Sequence, residues 1–425
     1  MKAIGIDIGT TSVCGILMDC ETGKILSSSA KNSNAFLKGC AEWEKIQSVD
    51  KIIDTAKAIL DEFTDDDVSV IGVTGQMHGI LYIDEAGNAL SPLYTWQDER
   101  GNLGYKDTTY AKYLGSFSGY GNVTDFYNRE NGIRPDKAIG YCTIHDYFVM
   151  KLCGNSKPVI HVSDAASFGL YDLKENKFNY DCDIEATADY KIAGKYRGIP
   201  VSVAIGDNQA SVFSTLANEE NILINVGTGS QVSVISDKLT ESDMVEVRPY
   251  FENKYLIVGA ALCGGRAYSV LKDFYTGVLS YVKEVTEDEV YEIMRRMMEK
   301  NDASLKVDTR FAGTRKNAGI TGSISGLTTG NFEPTGLTRG VLEGMAEELY
   351  EMYKSMGIER SGIIGSGNGI RKNQMLIKAF ERKFSGKMRI PEHLEEAAVG
   401  AALYGLVAAG IYKNASEVQK LIKYI

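Results

Sequence analysis

Asp7-Ile8-Gly9-Thr10-Thr11-Ser12 is matched, about half of the 425-residue chain later, by Asn225-Val226-Gly227-Thr228-Gly229-Ser230. Each copy follows an apolar run rich in isoleucine and precedes a second run, Val13 to Met18 in one case and Gln231 to Ile235 in the other. This pattern predicts a strand, a tight glycine turn and a second strand in each copy. Glycine and small hydroxyl residues let a turn approach a phosphate closely and offer it N–H and O–H donors.

The repetition distinguishes a binding turn from an ordinary hairpin. Either turn alone is more often a plain hairpin than a ligand site. Two matched turns, one in each half, instead indicate a duplicated domain that holds a polyphosphate from both sides. Length agrees with this interpretation, since single hydrophobic cores rarely grow beyond about 250 to 300 residues. We therefore predict an N-terminal domain over residues 1–217 and a C-terminal domain over residues 218–425.

Composition and charge are those of an ordinary soluble globular protein. Hydrophobic residues make up 44% and charged residues 24% of the chain, and the formal net charge is −10. This acidic balance argues against nucleic acid or an anionic membrane as a main partner. Seven cysteines without a Cys-x-x-Cys pair indicate free thiols in a reducing compartment. Since no signal peptide is visible, we expect a cytoplasmic protein. Whether it forms a homodimer stays an open question at this point.

Periodicity predicts a mixed α/β domain in the first half of the chain. Strands are predicted near residues 2–8, 13–19 and 68–73, and an amphipathic helix near residues 48–63. In the second half, a helix near residues 337–356 carries its apolar residues on one face. That face indicates core packing rather than a cofactor site.

Two polar clusters follow predicted strands, Gly75-Gln76-Met77-His78-Gly79 and Thr95-Trp96-Gln97-Asp98-Glu99-Arg100. A polyol site needs such a mixture, because Gln, His, Asp and Arg side chains bond to hydroxyls and Trp covers an apolar sugar face. A lone histidine such as His78 is otherwise more often structural, although its Gln-Met-His-Gly setting favours a binding role. Four histidines without paired spacing argue against a zinc site built from the protein alone.

A third segment, Gly206-Asp207-Asn208, follows the predicted buried strand from Ile199 to Ile205. Ligands collect at the carboxyl ends of strands in α/β folds, and phosphoryl transfer to a hydroxyl needs a base such as Asp. Asp207 or Asn208 is equally well placed as the N-cap of a helix that begins at Gln209. Both roles therefore stay open at this point.

A fourth segment, Gly365-Ser366-Gly367-Asn368-Gly369, ends a predicted strand before a helix that contains Asn373. Such a glycine turn leaves a flat gap into which an adenine ring fits. It is not a Walker loop, because no Gly-Lys-Ser/Thr follows. Alone, this turn is weak evidence.

In their order along the chain, the paired turns and these segments resemble the FGGY carbohydrate kinases. That family shares the duplicated, ribonuclease H-like α/β fold of the actin-like ATPases. The resemblance therefore implies two domains with an interdomain cleft, ATP and Mg²⁺ as cofactors, and phosphorylation of a sugar hydroxyl.

The sugar clusters resemble one branch of the family more than others. Gln76-Met77-His78-Gly79 is similar to the ketose branch, and glycerol kinases carry Arg-Glu in this region, so glycerol is disfavoured. The segments Thr95 to Arg100, Thr143 to Tyr147 and Val162 to Ala166 look most like the sedoheptulokinases. Xylulokinases and other pentulose kinases are the alternative.

The resemblance implies a role for individual residues. Asp207 is the implied catalytic base, and Asp7 lies near the magnesium ion, directly or through water. Residues implied in sugar binding are Gln76, Met77, His78, Trp96, Asp98, Arg100, Asp207 and Asn208. Residues implied in nucleotide binding are Gly9, Thr10, Thr11, Ser12, Gly227, Thr228, Gly229, Gly265, Gly365, Gly367, Asn368 and Asn373. The sugar and the first phosphate motif thus fall in the N-terminal domain, and the second phosphate motif and adenosine in the C-terminal domain.

Two other classes of function compete with a sugar kinase. An actin-like or chaperone-like ATPase would share the phosphate turns but has no need of the polar clusters around His78 and Trp96. A non-catalytic sugar sensor on the same fold would tend to lose Asp7 or Asp207, and both are present.

Overall fold

The computed structural model describes residues 1–37, 41–64, 67–182, 184–299, 303–314, 317 and 319–425. By its contacts the chain forms two compact units. The first contains Met1–Ala217, Arg248–Asn253 and Glu395–Lys423, and the second contains Asn218–Val247, Lys254–Leu394 and Tyr424–Ile425. The units are therefore not two continuous halves of the chain that meet after residue 217. The helix Glu396–Ala408, for example, packs on the strands of the first unit. The division into functional domains 1–217 and 218–425 stays a prediction.

A mixed sheet is the framework of the first unit. In the described residues it has seven strands. Their spatial order is Ile192–Tyr196, Ile199–Ser202, Val68–Gly75, Lys2–Ile8, Ser12–Asp19 and Ile25–Asn32, with Ile205–Gly206 beside Val68–Gly75. Short strands also pair two by two: Ile46–Gln47 with Leu93–Tyr94, Leu81–Ile83 with Gly140–Cys142, Gly104–Tyr105 with Thr108–Thr109, Ile160–His161 with Ala186–Thr187, and Tyr171–Asp172 with Lys177–Phe178.

The helices of this unit cover the sheet and carry its loops. They are Val49–Phe63, Tyr110–Leu114, Gly121–Glu130, Ile144–Cys153, Val162–Ser167, Asp207–Thr215, Glu396–Ala408 and Ala415–Val418, with 3₁₀ turns at Arg100–Asn102 and Gln419–Leu421. Within the described part of the chain, no helix combines the length and the apolarity that a bilayer crossing requires.

Residue size decides what packs on each face of the first sheet. On one face, isoleucines of the strand Lys2–Ile8 meet the amphipathic helix Val49–Phe63, whose buried residues recur every three or four positions. On the other face, a Cβ built at Gly5 would overlap the backbone carbonyl of Ala398. The absence of a side chain at Gly5 therefore lets the helix Glu396–Ala408 lie close against the sheet.

The second unit repeats this sheet pattern. In the described residues its sheet has six strands, in the order Glu246–Pro249, Tyr255–Ala261, Ser230–Ser236, Asn221–Val226, Gly362–Ser366 and Met388–Arg389. A separate pair joins Lys306–Asp308 to Ser323–Ser325. The helices are Gly265–Ser280, Glu287–Met297, Pro334–Ser355, Asn368–Lys372 and Gln374–Phe384.

The predicted strand–turn–strand units are confirmed in both halves. Lys2–Ile8 pairs antiparallel with Ser12–Asp19, and Asn221–Val226 pairs antiparallel with Ser230–Ser236. In each half the first strand also pairs parallel with a later strand. The predicted core face of the long second-half helix is confirmed too, since Val341, Met345 and Leu349 are among its buried residues.

One cap prediction is wrong. Asp207 is the first residue of the helix Asp207–Thr215, and the N-cap is Gly206, which has no side chain to cap with. Neither Asp207 nor Asn208 therefore serves as the N-cap. The strand Ile205–Gly206 runs directly into the helix, so the capping position falls one residue earlier than the sequence pattern indicates.

Candidate functional site

Three strands of the first unit end side by side. In the parallel register, Ile8 is opposite Gly75, and Gly75 is opposite Gly206. The residues that follow these positions begin the first phosphate turn, the Gln-Met-His segment and the Asp207 helix. Loops at the carboxyl ends of parallel strands are where α/β folds bind ligands. The structure therefore brings these three predicted segments to one edge of the sheet.

A chain of hydrogen bonds links the phosphate turn to the polar clusters. Trp96 Nε1 donates to Thr10 Oγ1 (2.9 Å), and Thr10 Oγ1 donates to Gln76 Oε1 (3.3 Å). Gln76 Nε2 donates to Gln47 Oε1 (3.1 Å), and Gln47 Nε2 donates to the backbone oxygen of Thr10 (2.6 Å). The Gln76 side chain is buried, whereas Trp96 is 47% exposed. The Trp96 ring is thus open to a ligand while its N–H orients Thr10.

The rest of this turn is at least partly accessible to solvent. Gly9 is half-buried, and Thr11 and Ser12 are exposed. The backbone oxygen of Thr11 accepts from the Ser33 N–H (3.0 Å). This bond fixes the turn against the neighbouring strand and leaves the predicted phosphate-binding face open.

His78 has a constrained backbone and an oriented ring. Its φ of 72° lies in the left-handed region, which is uncommon for a residue other than glycine. Its ring stacks on Tyr120 with centroids 4.2 Å apart, and its Nδ1 lies 2.7 Å from the backbone oxygen of Ser167. A carbonyl partner places the proton of the neutral ring on Nδ1 and leaves Nε2 as an acceptor. Such an acceptor suits a sugar hydroxyl.

Met77 and Asn208 lie close to the predicted base. Met77 is buried, and a Cβ built at Gly206 would lie 2.7 Å from the Met77 Sδ and Cε atoms. Met77 thus packs under the residue that precedes Asp207. Asn208 is half-buried in the first turn of the same helix. The direct contact of either side chain with a sugar stays a prediction.

Asp98 and Arg100, which were expected to contact the sugar, form a buried ion pair with each other. Arg100 Nε and Nη2 donate to the two Asp98 oxygens at 2.6 and 3.1 Å. Arg100 Nη1 donates to Asn128 Oδ1 (2.5 Å), and the guanidinium lies 4.2 Å from the ring centroid of Tyr94. Both side chains are almost completely buried. The geometry gives this pair the role of holding the Trp96 loop, and its contact with a sugar stays a prediction.

Carboxylates concentrate around Asp7. Asp7 Oδ1 is buried and has no hydrogen-bond partner among the described residues. Burial, with the negative charges of Asp207 and Glu395, raises the pKa of Asp7 to about 7. Burial also raises the pKa of Asp207, against the opposing charges of His145 and Arg248. Hard oxygen ligands suit a divalent cation such as Mg²⁺, so the Asp7 carboxyl group fits the predicted magnesium site.

A second buried group interacts electrostatically with Asp207. His145, Asp146 and Asp164 each offer a potential ligand atom, and these atoms lie within 4.8 Å of one another. His145 Nε2 is 3.0 Å from Asp164 Oδ1. Asp146 belongs to a helix cap: its N–H donates to Thr143 Oγ1 (3.1 Å), and Thr143 Oγ1 donates to Asp146 Oδ2 (2.7 Å). Burial and the charge of Asp164 raise the pKa of Asp146 to about 8.

In the second unit, the Gly-Thr-Gly turn meets a helix N-terminus. The Gly265 N–H donates to Gly227 O (2.9 Å), and the Arg266 N–H donates to Thr228 O (3.0 Å). Gly227 and Thr228 are exposed, and Gly229 is half-buried. The helix that begins here has 16 residues, and its N-terminus carries a partial positive charge that favours an anion beside the turn.

A cavity of about 1200 Å³ opens at this turn. Of the residues predicted to bind nucleotide, it is lined by Gly227, Thr228, Gly265, Asn368 and Asn373. Tyr268 and Tyr291 also line it, with their rings stacked and the centroids 5.7 Å apart. Burial raises the pKa of Tyr268 to about 12. Aromatic faces of this kind offer a stacking surface to a planar base.

Other predicted nucleotide residues have packing roles. Gly365 lies inside a strand, where a Cβ would collide with the side chain of Met388. Gly367 has a φ of 82°, a conformation that glycine adopts freely. Asn373 caps the following helix, since its Oδ1 accepts from the Leu376 N–H (3.0 Å). Contact of Gly365, Gly367 and Asn373 with a nucleotide stays a prediction.

Several residues of these sites were missed by sequence reasoning. Gln47 is buried, but its strand Ile46–Gln47 is flanked by the polar residues Lys45 and Ser48, so no local pattern marks it. No sequence signal pointed to Glu395, because its charge raises the pKa of Asp7 although the two residues lie near opposite ends of the chain. Tyr268 and Tyr291 lie on two helices whose periodicity indicates core packing.

Two family models match the sequence. The N-terminal domain of the FGGY family of carbohydrate kinases matches residues 2–107, and the C-terminal domain of that family matches residues 222–409. A sedoheptulokinase of Mus musculus is 28% identical, with 94% of this chain and 96% of that protein covered. A xylulose kinase of Staphylococcus xylosus is 25% identical, with 88% of this chain and 84% of that protein covered.

Solved structures share the two-domain α/β fold. A xylulose kinase from Rhodospirillum rubrum has a TM-score of 0.84 at 18% identity, with 100% of this chain and 93% of that chain covered. A glycerol kinase from Plasmodium falciparum, solved with ADP, has a TM-score of 0.76 at 18% identity, with 99% and 92% covered. At these identities the likeness concerns the fold alone.

Proposed function

The chain belongs to the FGGY family of carbohydrate kinases and is a sugar kinase, and we propose that it transfers the γ-phosphoryl group of ATP to a terminal hydroxyl of a ketose, with sedoheptulose as the preferred acceptor. The observation that carries this proposal is the shared edge of the first sheet, where Asp207, the first phosphate turn and the Gln76 cluster begin at neighbouring positions. A base, hydroxyl-binding groups and a phosphate-binding turn are what phosphoryl transfer to a sugar requires.

In this proposal, Asp207 accepts the proton of the attacking hydroxyl. Burial raises the pKa of its carboxyl group, which makes the carboxylate a stronger base than an exposed aspartate. Gln76 and His78 hold neighbouring hydroxyls, and the exposed Trp96 ring covers the apolar face of the sugar. Most of the rate gain then comes from holding the hydroxyl in line with the phosphorus.

Asp7 would hold Mg²⁺, directly or through water. Two observations support this fit: Asp7 Oδ1 has no hydrogen-bond partner in the described residues, and burial together with the neighbouring carboxylates raises the pKa of Asp7. When bound, the ion neutralises charge on the phosphate oxygens.

The second unit would bind the nucleotide. The exposed residues Gly227 and Thr228, with the helix N-terminus at Gly265, suit the phosphates. The stacked rings of Tyr268 and Tyr291 suit the adenine. Both features line one cavity of the same unit, which supports a single bound nucleotide.

Sedoheptulose is preferred to a pentulose on two grounds. The segments around Trp96, His145 and Asp164 resemble the sedoheptulokinases. Sedoheptulokinases are also more similar to this chain than the xylulose kinase described above, and they match a larger share of it. Xylulose or another pentulose is the alternative acceptor.

An ADP-release assay with purified protein, ATP and Mg²⁺ tests the proposal against sedoheptulose, xylulose, ribulose and glycerol. We expect sedoheptulose to raise turnover far above the basal rate and to give the highest kcat/KM. Asp207→Asn is the control, because it keeps the shape of the side chain and removes the base. Its kcat should fall by roughly 10² to 10⁴, with an unchanged Kd for ATP.

Three outcomes would revise the proposal. Equal ADP release with and without every sugar would reject all four as acceptors. A higher kcat/KM for xylulose or ribulose would assign a pentulose in place of sedoheptulose. A folded Asp207→Asn enzyme with near-normal kcat would assign the base to another residue.

A further inference from the structure

Arg266 is a positively charged residue beside the second glycine turn, and the proposed reaction gives it no role. Its N–H donates to Thr228 O (3.0 Å), and the residue is exposed and lines the cavity of the second unit. In the described part of the chain, its guanidinium forms neither an ion pair nor a hydrogen bond with another residue. All five of its N–H donors are therefore available to a ligand in the cavity.

Two glycines bring Arg266 against the turn. A Cβ built on Gly264 would lie 2.3 Å from the carbonyl carbon and oxygen of Gly229, and one built on Gly265 would lie 2.5 Å from Gly227 O. Backbone packs directly on backbone at these positions, because neither residue has a side chain. Arg266 is the first residue after them that has one. Its Cα is therefore held beside the turn that is predicted to bind phosphate.

The position of Arg266 in its helix is electrostatically unfavourable without a ligand. Arg266 is the second residue of the helix Gly265–Ser280, whose first turn contains no acidic residue. The N-terminus of a helix carries a partial positive charge, so a cation at this position is destabilising. A bound anion compensates both charges, since it attracts the helix N-terminus and the guanidinium alike. The location of this charge thus favours an anionic ligand.

The other charged residues of the cavity are placed differently. Those that line it besides Arg266 are Asp288, Glu292, Glu299, Arg295, Lys372 and Lys378. The Arg295 guanidinium is already satisfied, because it donates to Glu292 at 2.7 and 2.9 Å and to Glu299 at 2.5 Å. Among the described residues that line the cavity, the basic residue bonded to the Gly-Thr-Gly turn is Arg266.

We propose that Arg266 binds the phosphate groups of the nucleotide and supplies a positive charge that the glycine turns themselves lack. This inference rests on the proposed nucleotide site of the second unit. Neither Asp7 to Ser12 nor Asn225 to Ser230 contains a lysine or an arginine, so each turn offers N–H and O–H donors without a full charge. The planar guanidinium can add two parallel N–H bonds to phosphate oxygens.

Calorimetry with ADP and adenosine in EDTA tests this inference without sugar or metal. The two ligands differ by the diphosphate group, so the ratio of their Kd values measures the affinity that the phosphates contribute. Arg266→Gln should raise the Kd for ADP roughly 10- to 100-fold, as expected for the loss of hydrogen bonds to a charged group. The Kd for adenosine should stay unchanged. Arg266→Lys keeps the charge without the paired donors, so its Kd for ADP should be intermediate.

Arg296→Gln is the matched control. Arg296 is an exposed arginine of the same unit, and it is not among the described residues that line the cavity. The variant removes one positive charge, as Arg266→Gln does, so it reports the effect of net charge alone. Both Kd values should match those of the wild type.

The Tm separates binding from a structural role. A purely structural Arg266 would make the ligand-free Arg266→Gln variant less stable. We expect its ligand-free Tm to equal or slightly exceed that of the wild type, because a cation leaves the helix N-terminus. The rise in Tm at a fixed excess of ADP should be smaller than in the wild type, since stabilisation by a ligand falls as its Kd rises.

The possible failures are distinguishable. A folded Arg266→Gln variant with the wild-type Kd for ADP overturns the role of Arg266. Equal increases in the Kd for ADP and for adenosine also overturn it, because the side chain then acts on the adenosine part of the ligand. Both results leave the proposed sugar phosphorylation standing if a sugar still stimulates ADP release. A wild-type protein that binds neither ADP nor ATP overturns the nucleotide site, and the role of Arg266 with it.

Discussion

At Asp7, a buried carboxyl group faces two more, those of Asp207 and Glu395. Its pKa is about 7 in the folded protein and near 3.8 in an unfolded chain, so the folded state binds more protons between these values. The stability that this group contributes is therefore present below a pH of about 4 and is lost as the pH rises through 7. A bound cation would supply the missing counter-charge.

Asp7→Asn removes the negative charge that burial and the neighbouring carboxylates disfavour. Since one pKa unit corresponds to about 1.4 kcal/mol, we expect metal-free Asp7→Asn to be more stable than the wild type by roughly 2 to 4 kcal/mol at a pH of about 8. Near pH 4 the two proteins should be about equally stable, because Asp7 is then protonated. Denaturant unfolding in EDTA at both pH values measures the difference.

The half-buried Asp19, whose carboxylate is hydrogen-bonded, provides the control for this measurement. The Asp19 carboxylate accepts from Thr22 Oγ1 (2.6 Å), and this bond is the main cause of its lowered pKa. Asp19→Asn should therefore gain no stability at either pH. Asp7→Asn that is no more stable than the wild type at the higher pH would show that Asp7 has a counter-charge in the metal-free protein.

The contacts of the proposed site residues could not be predicted from the sequence. Trp96 and Thr10 stand 86 positions apart and are bonded to each other, which no local pattern could indicate. Asp98 and Arg100 stand two positions apart, yet their spacing does not reveal that each satisfies the other. A polar side chain can bind a ligand only through the donors or acceptor lone pairs that the fold leaves unused, and that depends on distant residues.

Among the elements, the helix Glu396–Ala408 determines where the Asp207 helix lies. These two helices pack on each other, and a Cβ built at Gly400 would overlap the backbone carbonyl of Ala210. The position of the predicted base thus depends on the lack of a side chain on another helix. Close helix contacts of this kind tolerate little added volume.

Gly400→Ala should separate these helices. We expect a loss of about 1 to 3 kcal/mol of unfolding free energy and a lower kcat, because Asp207 moves with its helix. Gly277→Ala is the matched control: Gly277 lies in the helix Gly265–Ser280, and a Cβ there meets no atom within 4 Å. It should gain about 0.5 to 1 kcal/mol. A similar gain for Gly400→Ala in urea unfolding would contradict the packing argument.

Elements with clear periodicity were predictable, and those without it were not. The helix Val49–Phe63 has one apolar face and was expected near residues 48–63. The helix Glu396–Ala408 is apolar or small on nearly every side and is buried along most of its length. Its sequence therefore has no apolar face that differs from a polar one, and no local pattern indicates that the helix belongs to the first unit.

For the whole molecule, the duplication was predictable because its signal is local. The two glycine turns and their flanking strands repeat in sequence and in pairing. Which segments belong to each unit was not predictable. Arg248–Asn253 and Glu395–Lys423 belong to the first unit because they contact residues that are far away in sequence. Both segments affect the proposed site, because the charge of Arg248 lowers the pKa of Asp207 and the charge of Glu395 raises the pKa of Asp7.

If each unit binds its own ligand, a change in one should spare the other. Thr228 is exposed in the turn that lines the cavity of the second unit, and Thr228→Val removes its hydroxyl donor while keeping its shape. Hydrogen bonds to charged groups contribute about 1.5 to 3 kcal/mol, so the Kd for ATP should rise roughly 10- to 100-fold. The Kd for the best sugar, measured by calorimetry without nucleotide, should change little.

Thr276→Val is the control, since Thr276 Oγ1 donates to Lys272 O within its own helix, and it should alter neither constant. Weakened sugar binding with intact ATP binding in Thr228→Val would remove this turn from the nucleotide site.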